Sequence, residues 1–136
     1  MAVLEHLYDP FRATAEIARV LAPGGAFVGS VAFLEPFHAR SYFHMTHLGL
    51  EEVLRRAGFE ATEIQPGWSF TEALASFWPW NLIGPVRGLS RRWNRMAYRV
   101  GMALWRGAYA VRGKPLPRHI LLGFQGSLVF RATRPL

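Results

Sequence analysis

The chain has 136 residues, of which 51% are hydrophobic, and carries a formal net charge of +7. Its mean hydropathy of +0.09 provides apolar chain for one domain with a core and excludes disorder by composition. The absence of cysteine excludes a disulfide framework and a thiolate metal centre and fits a cytoplasmic setting.

At the N-terminus, Glu5, His6 and Asp9 stand where a secretory signal needs an apolar stretch, so no signal is expected. Asp9-Pro10 predicts a helix start: the carboxylate accepts from the first unpaired amides, and proline fits the first turn. Ala13, Ile17, Val20 and Leu21 follow at helical spacing, and Pro23-Gly24-Gly25 predicts the stop at Ala22. Ala26 to Phe33 is short, apolar and β-compatible, which predicts a buried strand. A loop is expected from Leu34 to Met45. Thr46 is a cap for a helix ending at Ala57, with Leu50, Val53, Leu54 and Ala57 on its apolar face and Gly58 just past its end. Further strands are expected at Phe59 to Ile64 and Gly126 to Thr133.

Between these last two strands lies an unusual block, residues 68–119. It holds all five tryptophans, Trp68, Trp78, Trp80, Trp93 and Trp105, and most of the arginines. Pro79, Gly84 and Pro85 break its first part. From about Leu89 to Val111 the pattern is helical. Trp93, Met96, Val100, Leu104, Ala108 and Val111 share one face, and Arg91, Arg92, Arg95, Arg99 and Arg106 cluster on the other. Charge is split along the chain. Residues 1–72 carry five arginines and nine acids; residues 73–136 carry eleven basic residues and no acid. An anionic counterpart is the expectation for such a surface.

Three short motifs occur in order. They are Val3-Leu4-Glu5-His6-Leu7 with Asp9-Pro10, then Arg19-Val20-Leu21-Ala22-Pro23-Gly24-Gly25, then Gly49-Leu50 through Val53-Leu54 to Ala57-Gly58-Phe59. In that order and spacing they resemble the C-terminal half of a class I S-adenosylmethionine-dependent methyltransferase of the type 11 kind. The resemblance covers about residues 1–66 and 122–134. It implies an α/β fold, the second half of a Rossmann-like sheet. Met1 to Leu4 would be the tail of the fourth strand, and Ala26 to Phe33 the fifth. Phe59 to Ile64 would be the sixth, and the Gly126 segment a seventh, antiparallel strand slotted between two others. The domain expectation is therefore one partial methyltransferase domain over 1–136, with a helical, Arg/Trp-rich insertion at 68–119.

Ligands of open α/β sheets bind outside the carboxyl ends of the strands. The resemblance accordingly implies S-adenosylmethionine as cofactor, bordered by Leu4 and Glu5. His6 and His38 are the candidate catalytic bases, needed only if the acceptor loses a proton. Phe37, Tyr42 and His44, in the loop after the fifth strand, are the acceptor-side candidates. The family's Gly-rich turn, its ribose-holding acid and strands one to three have no counterpart in this sequence. A truncated member, with little catalysis of its own, is the expectation. His38, His44 and His47, with Glu35 as the one nearby acid and no cysteine, do not make a metal site by sequence, so none is expected.

The Arg/Trp block admits three uses: an anionic membrane surface, a partner or lid helix, and nucleic acid. Trp78, Trp80, Arg91, Arg92, Arg95, Arg99, Trp105 and Arg106 are its candidate contact residues. Nucleic acid is disfavoured because the aromatics fall mostly away from the arginines. No stretch of about 18 apolar residues survives without Pro, Gly, Glu or Arg, so the block is not read as a membrane span. The expected acceptor is small or hydrophobic. The expected location is the cytoplasm, at the inner membrane face where the block engages lipid. An uncovered sheet edge invites a homodimer.

Overall fold

The computed structural model describes residues 3–36, 38–77 and 84–136, without the side chains of residues 61, 74–77 and 84–91. Asp9 Oδ1 accepts a 3.0 Å hydrogen bond from the Arg12 amide, and Pro10 opens helix α1 (Pro10–Val20). The turn that follows requires glycine. Gly24 has φ 73°, and a Cβ on Gly25 would sit 2.6 Å from the Leu21 side chain and 2.7 Å from the Ala22 carbonyl. Strand β1 (Ala26–Ala32) leaves this turn. Thr46 Oγ1 accepts from the Gly49 amide at 3.1 Å and caps α2 (His47–Arg56); Gly58, at φ 85°, ends it in the left-handed region. Strand β2 (Glu60–Pro66), helices α3 (Phe70–Phe77), α4 (Gly84–Val111) and α5 (Arg118–Gly123), and strand β3 (Ser127–Thr133) complete the order.

The sheet runs β1-β3-β2, with β3 antiparallel to both neighbours, so β1 and β2 are parallel to each other. The last strand in sequence is therefore the middle one, as the resemblance implied of an antiparallel last strand slotted between two others. Val31 faces Leu128, and Ile64 faces Phe130. Along β3, Leu128, Phe130 and Ala132 are buried while Val129 and Arg131 are exposed. Leu50, Val53 and Leu54 of α2 join them in one core with Phe59 and Leu122. Each such side chain removed from water contributes about 1.5–3 kcal/mol. Among the described residues, β1 and β2 are each paired on one side only.

Two expectations change. Leu4–His6 is a 3-10 turn and not a strand tail: the His6 amide bonds to Val3 O at 2.9 Å and the Leu7 amide to Leu4 O at 3.3 Å. The chain must turn here to reach the Asp9 cap, and short-range bonds replace ladder bonds. Met1 and Ala2 lie outside the described residues. The second change is at α4, which begins at Gly84 and not near Leu89, with Pro85 in its first turn. There the missing proline N–H has no intrahelical partner to lose.

Helices α3 and α4 are tied together. Thr71 Oγ1 donates to Asn94 O at 3.2 Å, and Arg95 Nε pairs with Glu72 Oε1 at 3.1 Å. Met102 is 7% exposed, whereas Trp93, Met96, Val100, Leu104 and Val111 are 48–91% exposed. The packed face of α4 thus runs through Tyr98 and Met102, and the long apolar row lies elsewhere. Among the described residues no helix is long and apolar enough to cross a membrane.

Candidate functional site

A cavity of about 240 Å³ opens where β1 and β2 end. It is lined by Glu5, Ser30, Val31, Ala32, Glu35, His38, Trp68 and Ser127. The parallel pair β1 and β2 points its carboxyl ends at this place, where open α/β sheets bind ligands. A larger cavity, of about 450 Å³, lies at the other end of β1, against Pro23, Arg134 and Leu136. Its described lining brings no carboxylate or imidazole side chain, whereas the smaller cavity gathers two glutamates and a histidine.

The loop after β1 reaches the site through three backbone bonds. The Tyr42 and Phe43 amides donate to Glu5 O at 2.7 and 3.2 Å, and the Met45 amide donates to Ala32 O at 2.9 Å. Within the loop, Ala39 and Arg40 adopt φ 38° and 56°, and the Ser41 amide closes onto His38 O at 2.9 Å. Two consecutive non-glycine residues in the left-handed region cost energy that the surroundings must supply. The tight turn they make holds His38 over the cavity. His38 Nδ1 donates to Pro36 O at 3.0 Å, which places the neutral ring's lone pair on Nε2.

The expected site residues divide clearly. His6 and His38 come together, their rings edge to face at 5.3 Å. Leu4 and Glu5 are both buried, 3% and 1% exposed. Leu4 belongs to the core, whereas the Glu5 carboxylate lines the cavity. Among the described residues, buried Glu5 Oε2 and His6 Nδ1 have no hydrogen-bond partner, an expensive condition for polar atoms. Tyr42 is exposed and stacks edge-on with Tyr8 at 5.9 Å, outside the cavity lining. His44 is exposed, lies 5.8 Å from the His38 ring, and bonds Ser41 Oγ at 3.0 Å. Phe37 lies outside the described residues.

Sequence reasoning passed over two residues of the lining. Glu35 Oε1 accepts from Trp68 Nε1 at 2.5 Å, and Glu35 Oε2 lies 3.8 Å from His38 Nδ1. These residues are 33 apart in sequence, and no local pattern connects them. On the Arg/Trp block, Arg92 and Arg99 are exposed, Arg95 is held by Glu72, and Arg106 lines a surface cleft with Tyr98 and Leu121. Trp105 borders an apolar cavity of about 180 Å³ with Phe70, Tyr98, Met102 and Phe124. Trp78, Trp80 and the Arg91 side chain lie outside the described residues.

The fold is that of a partial Rossmann-like α/β unit, with a cavity at the carboxyl ends of β1 and β2. A family model described as a methyltransferase domain matches residues 1–29. Two solved structures share the fold, both of Haemonchus contortus phosphoethanolamine N-methyltransferase 2. One is in complex with S-adenosyl-L-methionine, at 14% identity and a TM-score of 0.50. The other, with phosphomonomethylethanolamine and S-adenosylhomocysteine, is at 16% identity and 0.51. Each match covers 99% of this chain and 32% of the other, so the chain spans about a third of the length of these structures. No curated protein matches the chain. The family-model match is confined to the first 29 residues, and the likeness to the solved structures is one of fold.

Proposed function

We propose that this chain supplies the acceptor side of a methyl-transfer site that uses S-adenosylmethionine, acting on a small or lipid-like acceptor. The observation that carries the reading is the cavity at the carboxyl ends of β1 and β2, with Glu5 and His38 in its wall and His6 against His38. The residues present fit the cofactor in one respect: the buried Glu5 carboxylate has an unfilled acceptor oxygen beside a site for a cationic, hydroxyl-bearing ligand. When bound, the cofactor supplies an electrophilic methyl on a sulfonium. The chain's own contribution is positioning, which accounts for most of what methyl transfer requires. The strained His38 turn and the Glu5 backbone tie hold the acceptor wall in one place. For an acceptor that must lose a proton, His6 or His38 takes it. The small acceptor that accompanies one of the solved structures agrees with a cavity of about 240 Å³.

The test is an NMR titration of the folded chain with S-adenosylhomocysteine at millimolar concentration. Amide shifts confined to Leu4–His6 and to residues 33–45 support the reading. A folded sample with no shift there overturns it.

One observation favours a second activity for residues 68–119, taken as an insertion: docking on an anionic membrane surface through α4. The exposed row of Trp93, Met96, Val100, Leu104 and Val111 is an unusually long apolar stripe for a surface helix, and exposed Arg92 and Arg99 flank it. No acid lies anywhere in residues 73–136, so the charge complement is an anionic headgroup layer. Apolar side chains would enter the interface while arginines meet phosphates, at the inner face of a cell membrane. Flotation with anionic vesicles, weakened by salt and abolished by Leu104→Asp, is the expected result. Flotation that is absent, or equal on neutral vesicles, overturns the idea.

A further inference from the structure

We propose that Glu5, His6 and His38 form a binding site for a first-row divalent cation, with zinc the best-suited probe. One donor atom from each lies within 4.8 Å of the others. Ligand atoms at about 2.1 Å from a tetrahedral zinc stand roughly 3.3 Å apart. The three donors are thus within small side-chain rotations of that geometry.

Two observations point to a cation and not to an ordinary polar cluster. First, Glu5 is 1% exposed, yet among the described residues its Oε2 has no hydrogen-bond partner, and neither has buried His6 Nδ1. A buried carboxylate oxygen and a buried imidazole nitrogen without partners are each costly. A single metal ion would satisfy the oxygen and the nitrogen at once. Second, His38 is oriented as zinc-binding histidines commonly are. Its Nδ1 donates to the Pro36 carbonyl at 3.0 Å, so Nε2 carries the lone pair. The Ala39–Arg40 turn, in its left-handed conformation, fixes that ring.

Two imidazoles and one carboxylate leave a fourth position open, as in catalytic and not structural zinc sites. It faces the 240 Å³ cavity that Glu5 and His38 line, which makes water or an acceptor oxygen its natural fourth ligand. The inference does not rest on the methyl-transfer reading, since the donors are present whatever the cavity holds. It does exclude two details of that reading: a ring whose lone pair is on a metal is no longer a base, and a Glu5 oxygen bound to the ion is no longer open to the cofactor.

The experiment is a calorimetric titration of zinc into the folded chain, with cobalt(II) absorption as a second readout. One equivalent at micromolar affinity or tighter is expected, with visible cobalt bands of four- or five-coordinate intensity. Loss of a mere orienting partner lowers metal affinity about 10–100-fold, so removal of a ligand by Glu5→Gln or His38→Asn should cost at least about a hundredfold. His119→Ala, at an exposed position of α5, should change nothing. If the variants fail to fold, imidazole nitrogen spectra of the unmodified chain decide. Of the five histidines, only His6 and His38 should shift with zinc. No saturable binding, or shifts at other histidines, overturns the proposal. Run without cofactor, the titration separates the two ideas: a chain that responds to S-adenosylhomocysteine but not to zinc loses only this one.

Discussion

Single residues set the ends of the elements and their acid response. Glu52 on α2 accepts from Arg55 at 2.8 and 2.9 Å and from Arg56 at 2.7 Å. The Arg55 hydrogen bonds first, and the Arg56 bond second, hold its carboxyl down from the ordinary 4.5 to about 2. A carboxylate held down on folding stabilises the native state above its ordinary value, and that contribution disappears as pH falls through the native one. Glu52→Gln should therefore lower Tm modestly at neutral pH, the pair being exposed and screened by solvent. The difference from the unmodified chain should shrink between pH 4.5 and about 2, the window given by the carboxyl shift. Thermal melts across that range check it, and a pH-independent difference would disprove the assignment. At this scale the sequence was clear. Asp9, Thr46 and Gly58 each act through neighbours three or fewer residues away, so their roles could be read from the local pattern.

Among the elements, α4 shows how a helix can be recognised without knowing which side of it is buried. Its apolar row at Trp93, Met96, Val100, Leu104 and Val111 was evident from spacing, but packing on α3 uses Asn94, Tyr98 and Met102. Periodicity reports where apolar residues lie, not what covers them. Met102→Ala should therefore cost about 2–5 kcal/mol, the usual range for emptying a buried site, while Leu104→Ala should stay within about 0.5 kcal/mol. Urea unfolding of the two variants compares them directly. Equal losses would mean that the exposed row is packed. The 3-10 turn at Leu4–His6 teaches the complementary lesson: the resemblance implied a strand tail over Met1 to Leu4, yet at Leu4 the chain already turns toward the Asp9 cap.

For the molecule as a whole, β3 is the element on which the rest depends. It carries every ladder bond of the three-stranded sheet, and its Phe130, 2% exposed, packs against Phe27 at 5.0 Å between ring centroids. Phe130→Ala should cost about 3–5 kcal/mol, which for a chain of this size threatens folding altogether. A loss under about 1 kcal/mol in chemical denaturation would contradict the central place given to this strand.

The sequence by itself determined the helix caps, the glycine turns and three strands, because these follow from contacts within a few residues; the family resemblance added that the last strand is antiparallel and lies between two others, and the order itself comes from the fold. The sequence also displayed the acid-free, arginine-rich second half. Only the tertiary structure decided the site. Glu35 with Trp68, Glu5 with His38, and the exposed face of α4 join residues that are tens of positions apart or that no neighbour among the described residues covers. Such pairings depend on how β1, β2 and the loop after β1 converge in space. That convergence is settled by burial of the shared core, to which no single segment holds the key.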